Sequence, residues 1–377
     1  MFKKTLFFKI LLATFSLVIM ILSKQILLDI YLNANLKESY MMKSSSYKNN
    51  EIIFKQFKSR LKYSSNEFQA GMNILIYGHP NMLEVREVLG HLRSLGINSV
   101  ALNFPFYQTD LYANEVTTSI EYTPTNEELS EIIEIAHDFN LRVMLKPIMD
   151  EQVFLPYNKW RGQIEPTDPH RWFDSYQELI LSYAELAAST NIEALNIGTE
   201  LNSMQRQLPD RWKNLIEHIR RIYDGELLYS FNHDTVAEIS SLAFTPLLDQ
   251  VGIDAYFQLD SPNYANIDDL QAAWEQHINH LENNLWEYSI VVTEVGVLPI
   301  AGAYRTPYAW SLPHGTYDPE TQANFFAATY NAWQSKVDGI YWWAVTFGQD
   351  PDEISFSPLG LPTEEMMKLY LLNTETQ

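Results

Sequence analysis

Two glutamates occur where burial-seeking strands end. In "EALNIGTELNSM", residues 193–204, the apolar run 194–198 finishes in Glu200 rather than in a turn. In "YSIVVTEVGVL", residues 288–298, Glu294 sits inside a β-branched run whose pattern is that of a strand buried on both faces. A carboxylate withdrawn from water costs several kcal/mol unless it is paired, so both positions need a reason. Two carboxyl groups facing each other in a water-restricted pocket are the equipment of glycoside hydrolysis: one donates a proton to the leaving oxygen, and the other attacks the sugar or activates water. Burial and mutual repulsion keep one of the pair protonated near neutral pH. The plainer alternative is that Glu200 caps the helix that follows it and Glu294 neutralises a buried lysine such as Lys146.

The elements that must position this pair are legible from periodicity. Short apolar runs at 72–77, 99–104, 142–148, 194–198, 227–231, 251–256, 290–295 and 339–345 read as strands. Helical patterns lie between them at 82–95, 126–139 with Thr125 as cap, 172–190, 211–223, 237–248, 268–286 and 320–335. Alternation of this kind predicts an α/β protein with a parallel sheet, and eight strands predict a (β/α)8 TIM barrel. A doubly wound sheet is the other arrangement, but no G-x-G-x-x-G follows any strand. In a barrel, chemistry gathers at the C-terminal ends of the strands. Glu200 and Glu294 are 94 positions apart, three βα units of about 31 residues, which places them across one mouth.

"IGTEL", "GIDAYFQL", "VVTEVG" and "GIYWWAV", in this order and on these strands, resemble the pattern of glycoside hydrolase family 113, within the larger clan A of retaining (β/α)8 glycosidases. "VMLKP", then "WRGQIEP" and "WFDSYQELILSYAELA", are similar to the same family, so the likeness runs over residues 67–370. The resemblance implies an endo-acting β-mannanase with Glu200 as acid/base and Glu294 as nucleophile. Two positions depart from the wider pattern. Thr199 stands where much of clan A carries Asn, and Ile148 follows Lys146-Pro147 where the family tends to carry His.

Other candidates surround the pair. Tyr256, closing the sixth strand, is placed to donate its phenol to Glu294, or is an ordinary core tyrosine. Asn232, ending the fifth strand in "YSFNHD", can hold a sugar hydroxyl or form a turn before His233-Asp234. Trp342-Trp343 at the end of the eighth strand offers a flat floor for a pyranose, although large aromatics in strands are usually core. Lys146 and Asp254 point inward by strand alternation and can touch substrate or simply pair. Trp160 and Arg161 lie on the long third loop, where a cleft wall would be built.

Composition excludes several classes. There is no cysteine, so thiolate catalysis and disulfides are ruled out. His277 and His280 are read as solvated residues of an amphipathic helix, and no H-x-H or H-E-x-x-H occurs, so neither a metal nor another cofactor is expected. No G-x-S-x-G marks a serine nucleophile. Residues 1–66 carry 11 Lys and Arg against 3 Asp and Glu, whereas residues 67–377 carry 15 against 44. So acidic a body repels nucleic acid and anionic lipid. Its expected partner is a neutral polysaccharide or oligosaccharide, and no protein partner is implied.

"MFKKTLFFKILLATFSLVIMIL" sets three lysines ahead of an apolar run with no small-residue cleavage site close behind. The reading is a signal or anchor segment at 1–32, a basic polar tether at 33–66 and the catalytic barrel at 67–377. The barrel is expected on the outer face of the cell membrane, or secreted if the segment is cleaved. Two further readings remain open here: hydrolysis of a cell-envelope or exopolysaccharide β-glycan, and a carbohydrate-binding barrel without turnover.

Overall fold

The computed structural model describes residues 67–372 apart from 282 and 349–353. The expected anchor and tether lie outside the described residues. Within these, no helix is long and apolar enough to cross a membrane.

The chain runs β1 (Gln69–Leu75), α1 (Met82–Ser94), β2 (Ser99–Phe106), α2 (Asn126–Asp138), β3 (Arg142–Met149), α3 (Pro169–Thr190), β4 (Ala194–Thr199), α4 (Pro209–Arg220), β5 (Glu226–Asn232), β6 (Gln250–Asp254), α5 (Ile267–Asn279), β7 (Ile290–Val295), α6 (Pro319–Trp333), β8 (Gly339–Thr346) and α7 (Pro362–Leu371). The eight strands are parallel and close into a barrel in sequence order. The helix starts follow local chemistry. Thr125 and Glu128 form a reciprocal capping box on α2, and Asp168 caps α3, whose first residue is Pro169.

Among the differences from the sequence reading, three bear on the architecture. β1 begins before Gly71, because at that position a side chain would collide with the ring of Tyr341, so the glycine belongs inside the strand. Between β5 and β6 there is no α-helix at 237–248; two 3-10 stretches, His233–Ser241 and Thr245–Leu247, take its place, and Pro246 falls within the expected helix. The third difference is an addition: the α-helix α7 follows β8, where periodicity predicts no helix.

The barrel interior is filled in layers. At the bottom, Ala101, Met144, Ala194, Leu228, Val291 and Tyr341 form an apolar cluster of their own, distinct from the larger core between strands and helices. Two residues further along the same strands the inward positions turn polar: Asn103, Lys146, Asn196, Ser230 and Thr293, all buried. Asn103 donates to Asn73 Oδ1 at 2.9 Å, and Asn73 donates to the Thr293 carbonyl at 3.0 Å. The strand alternation that buries Met144 therefore delivers Lys146 to the mouth.

Candidate active site

Alternation alone would turn Glu294 away from the lumen, because its neighbour Thr293 continues the inward series of Val291. The pairing of β6 with β7 slips between Ile253 and Asp254, so that Asp254 stands opposite Glu294, and β7 slips again against β8 between Val292 and Val295. An irregularity of this kind re-aims a side chain. Glu294 thereby enters the barrel and forms an ion pair with Lys146, while its other oxygen, Oε2, accepts from the Tyr256 hydroxyl at 2.9 Å. Lys146 also lies 3.7 Å from Asp254 Oδ1, which accepts a bond from Thr293 Oγ1 at 2.7 Å. Asp254 Oδ2 is buried with no partner. Burial, with Glu294 beside it, holds the Asp254 carboxyl well above the usual range, and Lys146 opposes this. Burial likewise raises the Tyr256 phenol, followed by the charge of Glu294, so the hydroxyl stays a donor.

Glu200 follows β4 in a left-handed conformation, φ 53°. For a residue with a side chain this costs on the order of 1–3 kcal/mol and persists only where the surroundings dictate it. Its N–H donates to the Ser230 carbonyl at 2.9 Å. Its carboxylate accepts from Asn232 Nδ2 at 2.6 Å and from Arg161 Nη1 at 2.7 Å. Glu200 does not cap the next helical turn, whose cap is Leu201. Burial pushes its carboxyl up to about 7; Arg161 acts against this, and Glu294 adds to it.

Arg161 is itself anchored twice more, through Nε to the Met149 carbonyl at 3.0 Å and to Glu151 Oε1 at 3.1 Å. Trp343 lies in phase with Tyr341 on β8, and the Lys146 ammonium is 5.7 Å from its ring centroid. The Trp343–Ala344 peptide is cis.

The structure therefore brings together Glu200, Glu294, Lys146, Asp254, Tyr256, Asn232, Arg161 and Trp343. Tyr256 stands two residues past the end of β6 rather than in the strand. Asn232 forms the expected turn, its side-chain Oδ1 accepting from Asp234 N at 3.1 Å, while its Nδ2 donates to Glu200. Trp342 faces the other way: its ring packs on Phe326 of α6, 4.2 Å between centroids, in the layer between barrel and helices. It is a core residue and offers no floor to a sugar. Trp160 sits over Gly162, where its ring occupies the space a side chain would need. His277 and His280 hold backbone carbonyls, those of Gln258 and Gln276. Among the described residues no group of His, Asp and Glu could hold a metal ion.

Sequence reasoning missed Glu151 and Thr293. The signal for each was adjacency: Glu151 comes two residues after β3, and Thr293 directly precedes Glu294.

The model of Glycoside Hydrolase Family 113 matches residues 78–352. The chain belongs to this family. It is accordingly a glycoside hydrolase acting on O-glycosyl bonds. Among solved structures, the family 113 β-mannanase AaManA from Alicyclobacillus acidocaldarius, in complex with ManMIm, superposes with a TM-score of 0.68 at 22% identity, over 82% of this chain and 98% of that one. A second family 113 β-1,4-mannanase gives 0.70 at 22% identity, over 81% and 99%. A β-glucuronidase from Ruminococcus gnavus gives 0.55 at 12% identity, over 82% of this chain and 50% of that one. At these identities the superpositions speak for the fold. A comparison with curated protein sequences gives no match.

Proposed function

We propose that this family 113 enzyme is a retaining β-glycosidase that cleaves β-1,4-mannan-type chains, with Glu294 as nucleophile and Glu200 as acid/base. The observation that carries the assignment is the unlike surroundings of the two buried carboxyls. Glu294 has one oxygen on a buried ammonium and the other on a phenol donor, so both its oxygens are held in place. Glu200 is pushed up to about 7, where a carboxyl can both give and take a proton near neutral pH.

In the first step Glu294 attacks the anomeric carbon while Glu200 protonates the departing oxygen. The new bond joins the sugar to Glu294, and the aglycone leaves as an alcohol. In the second step Glu200, now a carboxylate, takes a proton from water, which displaces Glu294 and restores both groups. Lys146 and Tyr256 hold the Glu294 oxygens in place, and Asn232 and Arg161 orient Glu200.

The two roles separate in variants. With an activated aryl glycoside, whose leaving group needs no proton, Glu200→Ala still forms the glycosyl-enzyme, and azide then yields a β-configured product. A β-configured azide product from Glu294→Ala and an α-configured one from Glu200→Ala would mean that the roles are reversed.

The mannan reading rests on the family and on the β-mannanases among the structural neighbours. The preference for a neutral chain rests on the acidic body. Turnover of β-1,4-mannan oligosaccharides supports it. Hydrolysis of only a glucan or an envelope glycan would keep the mechanism and discard mannan.

A further inference from the structure

Among the described residues, eight tyrosine and tryptophan side chains are exposed, and all eight lie on loops that follow strands. None lies on a loop leading into a strand. The opposite end of the barrel shares the same solvent, so general tolerance of exposed rings does not account for this segregation.

The most exposed of the eight is Trp310, with 64% of its surface open, on the loop 296–318 between β7 and α6. Its ring is held at two edges rather than covered. It meets Trp343 at 6.0 Å between centroids and 78° between planes, and Phe356 at 5.3 Å and 75°. The loop beneath it is built: Ala301 N donates to the Thr316 carbonyl at 2.9 Å, Asp318 N to the Pro299 carbonyl at 2.9 Å, and Arg305 Nη1 to the Ser261 carbonyl at 2.8 Å. Trp343 in turn faces Lys146, the partner of Glu294. From the proposed nucleophile a continuous series therefore runs outward through Lys146 and Trp343 to Trp310.

We infer that Trp310 is a second sugar platform, stacking on a pyranose of the same glycan chain next to the one held over Trp343. A large, flat, amphipathic ring fixed at its edges and bare elsewhere suits the apolar C–H face of a neutral pyranose, and such a ring carries little ordering cost on binding. The inference rests on the reading above that the enzyme cleaves a neutral β-linked chain, and it adds a contact remote from the reacting bond. Contacts of that kind show in how rate grows with substrate length.

The test compares wild type, Trp310→Ala and Trp310→Phe on β-1,4-mannan oligosaccharides of two to six sugars and on an aryl monoglycoside. The expected loss of kcat/KM in Trp310→Ala is larger on the hexasaccharide than on the aryl monoglycoside by on the order of 10-fold, with most of it recovered in Trp310→Phe. Equal losses on all substrates, or none on the hexasaccharide, overturn the platform. Binding is read separately as retardation in native gels containing galactomannan, using Glu294→Gln with and without Trp310→Ala. Retardation that Trp310→Ala abolishes supports the platform even if mannan is not cleaved. Retardation that it leaves intact removes the platform and spares the reading of function. No retardation and no turnover on any neutral β-glycan defeats both.

Discussion

At Glu200, burial and ion pairing pull in opposite directions, and burial prevails. The carboxyl is 5% exposed and pushed up to about 7 although Arg161 donates to it at 2.7 Å. For turnover the sign is direct: leaving-group protonation needs the acid form, so kcat/KM on substrates with poor leaving groups is expected to fall as pH rises through about 7. For stability the same group runs in one direction as well. A carboxyl raised in the folded state favours folding most below its unfolded pKa, and that contribution is lost as pH rises through the folded value. With Glu200→Gln and an activated aryl glycoside, the alkaline limb belonging to the acid is expected to vanish from the first step. Persistence of that limb would assign it to another group. Glu294 differs in kind, because its partners are a buried ammonium and a phenol rather than a guanidinium and an amide.

At the scale of elements, the acid/base depends on the β3–α3 loop, which carries Glu151, Trp160 and Arg161. Arg161 lowers the Glu200 pKa, so Arg161→Ala is expected to move the alkaline limb to higher pH while leaving Glu294 with Lys146 and Tyr256. A pH profile measured beside wild type checks this, and a limb that moves down would show that Arg161 does not act as a counter-charge. The elements also show what the sequence could tell. Strand periodicity found all eight strands, and Glu200 and Glu294 followed from where the apolar runs end, while Lys146 followed from the two-residue alternation that buries Met144. Trp342 and Trp343 could not be told apart in this way, since adjacent residues on a strand face opposite sides and both faces here are buried. The contacts of Glu294 with Lys146 and Tyr256 need the register slips at Asp254 and Val295, which no pattern of residue types announces. Pro246 warned against a helix at 237–248, and the short span before β6 left only 3-10 turns.

At the scale of the whole molecule, charge is divided between a basic segment of residues 1–66 and an acidic barrel. We propose that the apolar run behind Lys3, Lys4 and Lys9 holds the barrel at the outer face of the membrane; the full-length protein is then expected to fractionate with membranes, and a native N-terminus between about 23 and 40 in culture medium would contradict this. The acidic barrel is further expected to hydrolyse neutral β-hexosans in preference to polyuronates at low ionic strength, a preference that salt weakens. Faster cleavage of a polyuronate than of every neutral glycan would refute the electrostatic argument. The fold supplies the mouth and the family supplies the reaction class, but the account turns on which carboxyl becomes bonded to sugar. The most direct test is to trap the enzyme with a 2-deoxy-2-fluoro β-mannobioside bearing a good leaving group and to locate the added mass by peptide mass spectrometry. The account predicts one sugar on the peptide containing Glu294 and none on that containing Glu200; a sugar on any other residue, or turnover that leaves no adduct and releases an inverted product, would contradict it.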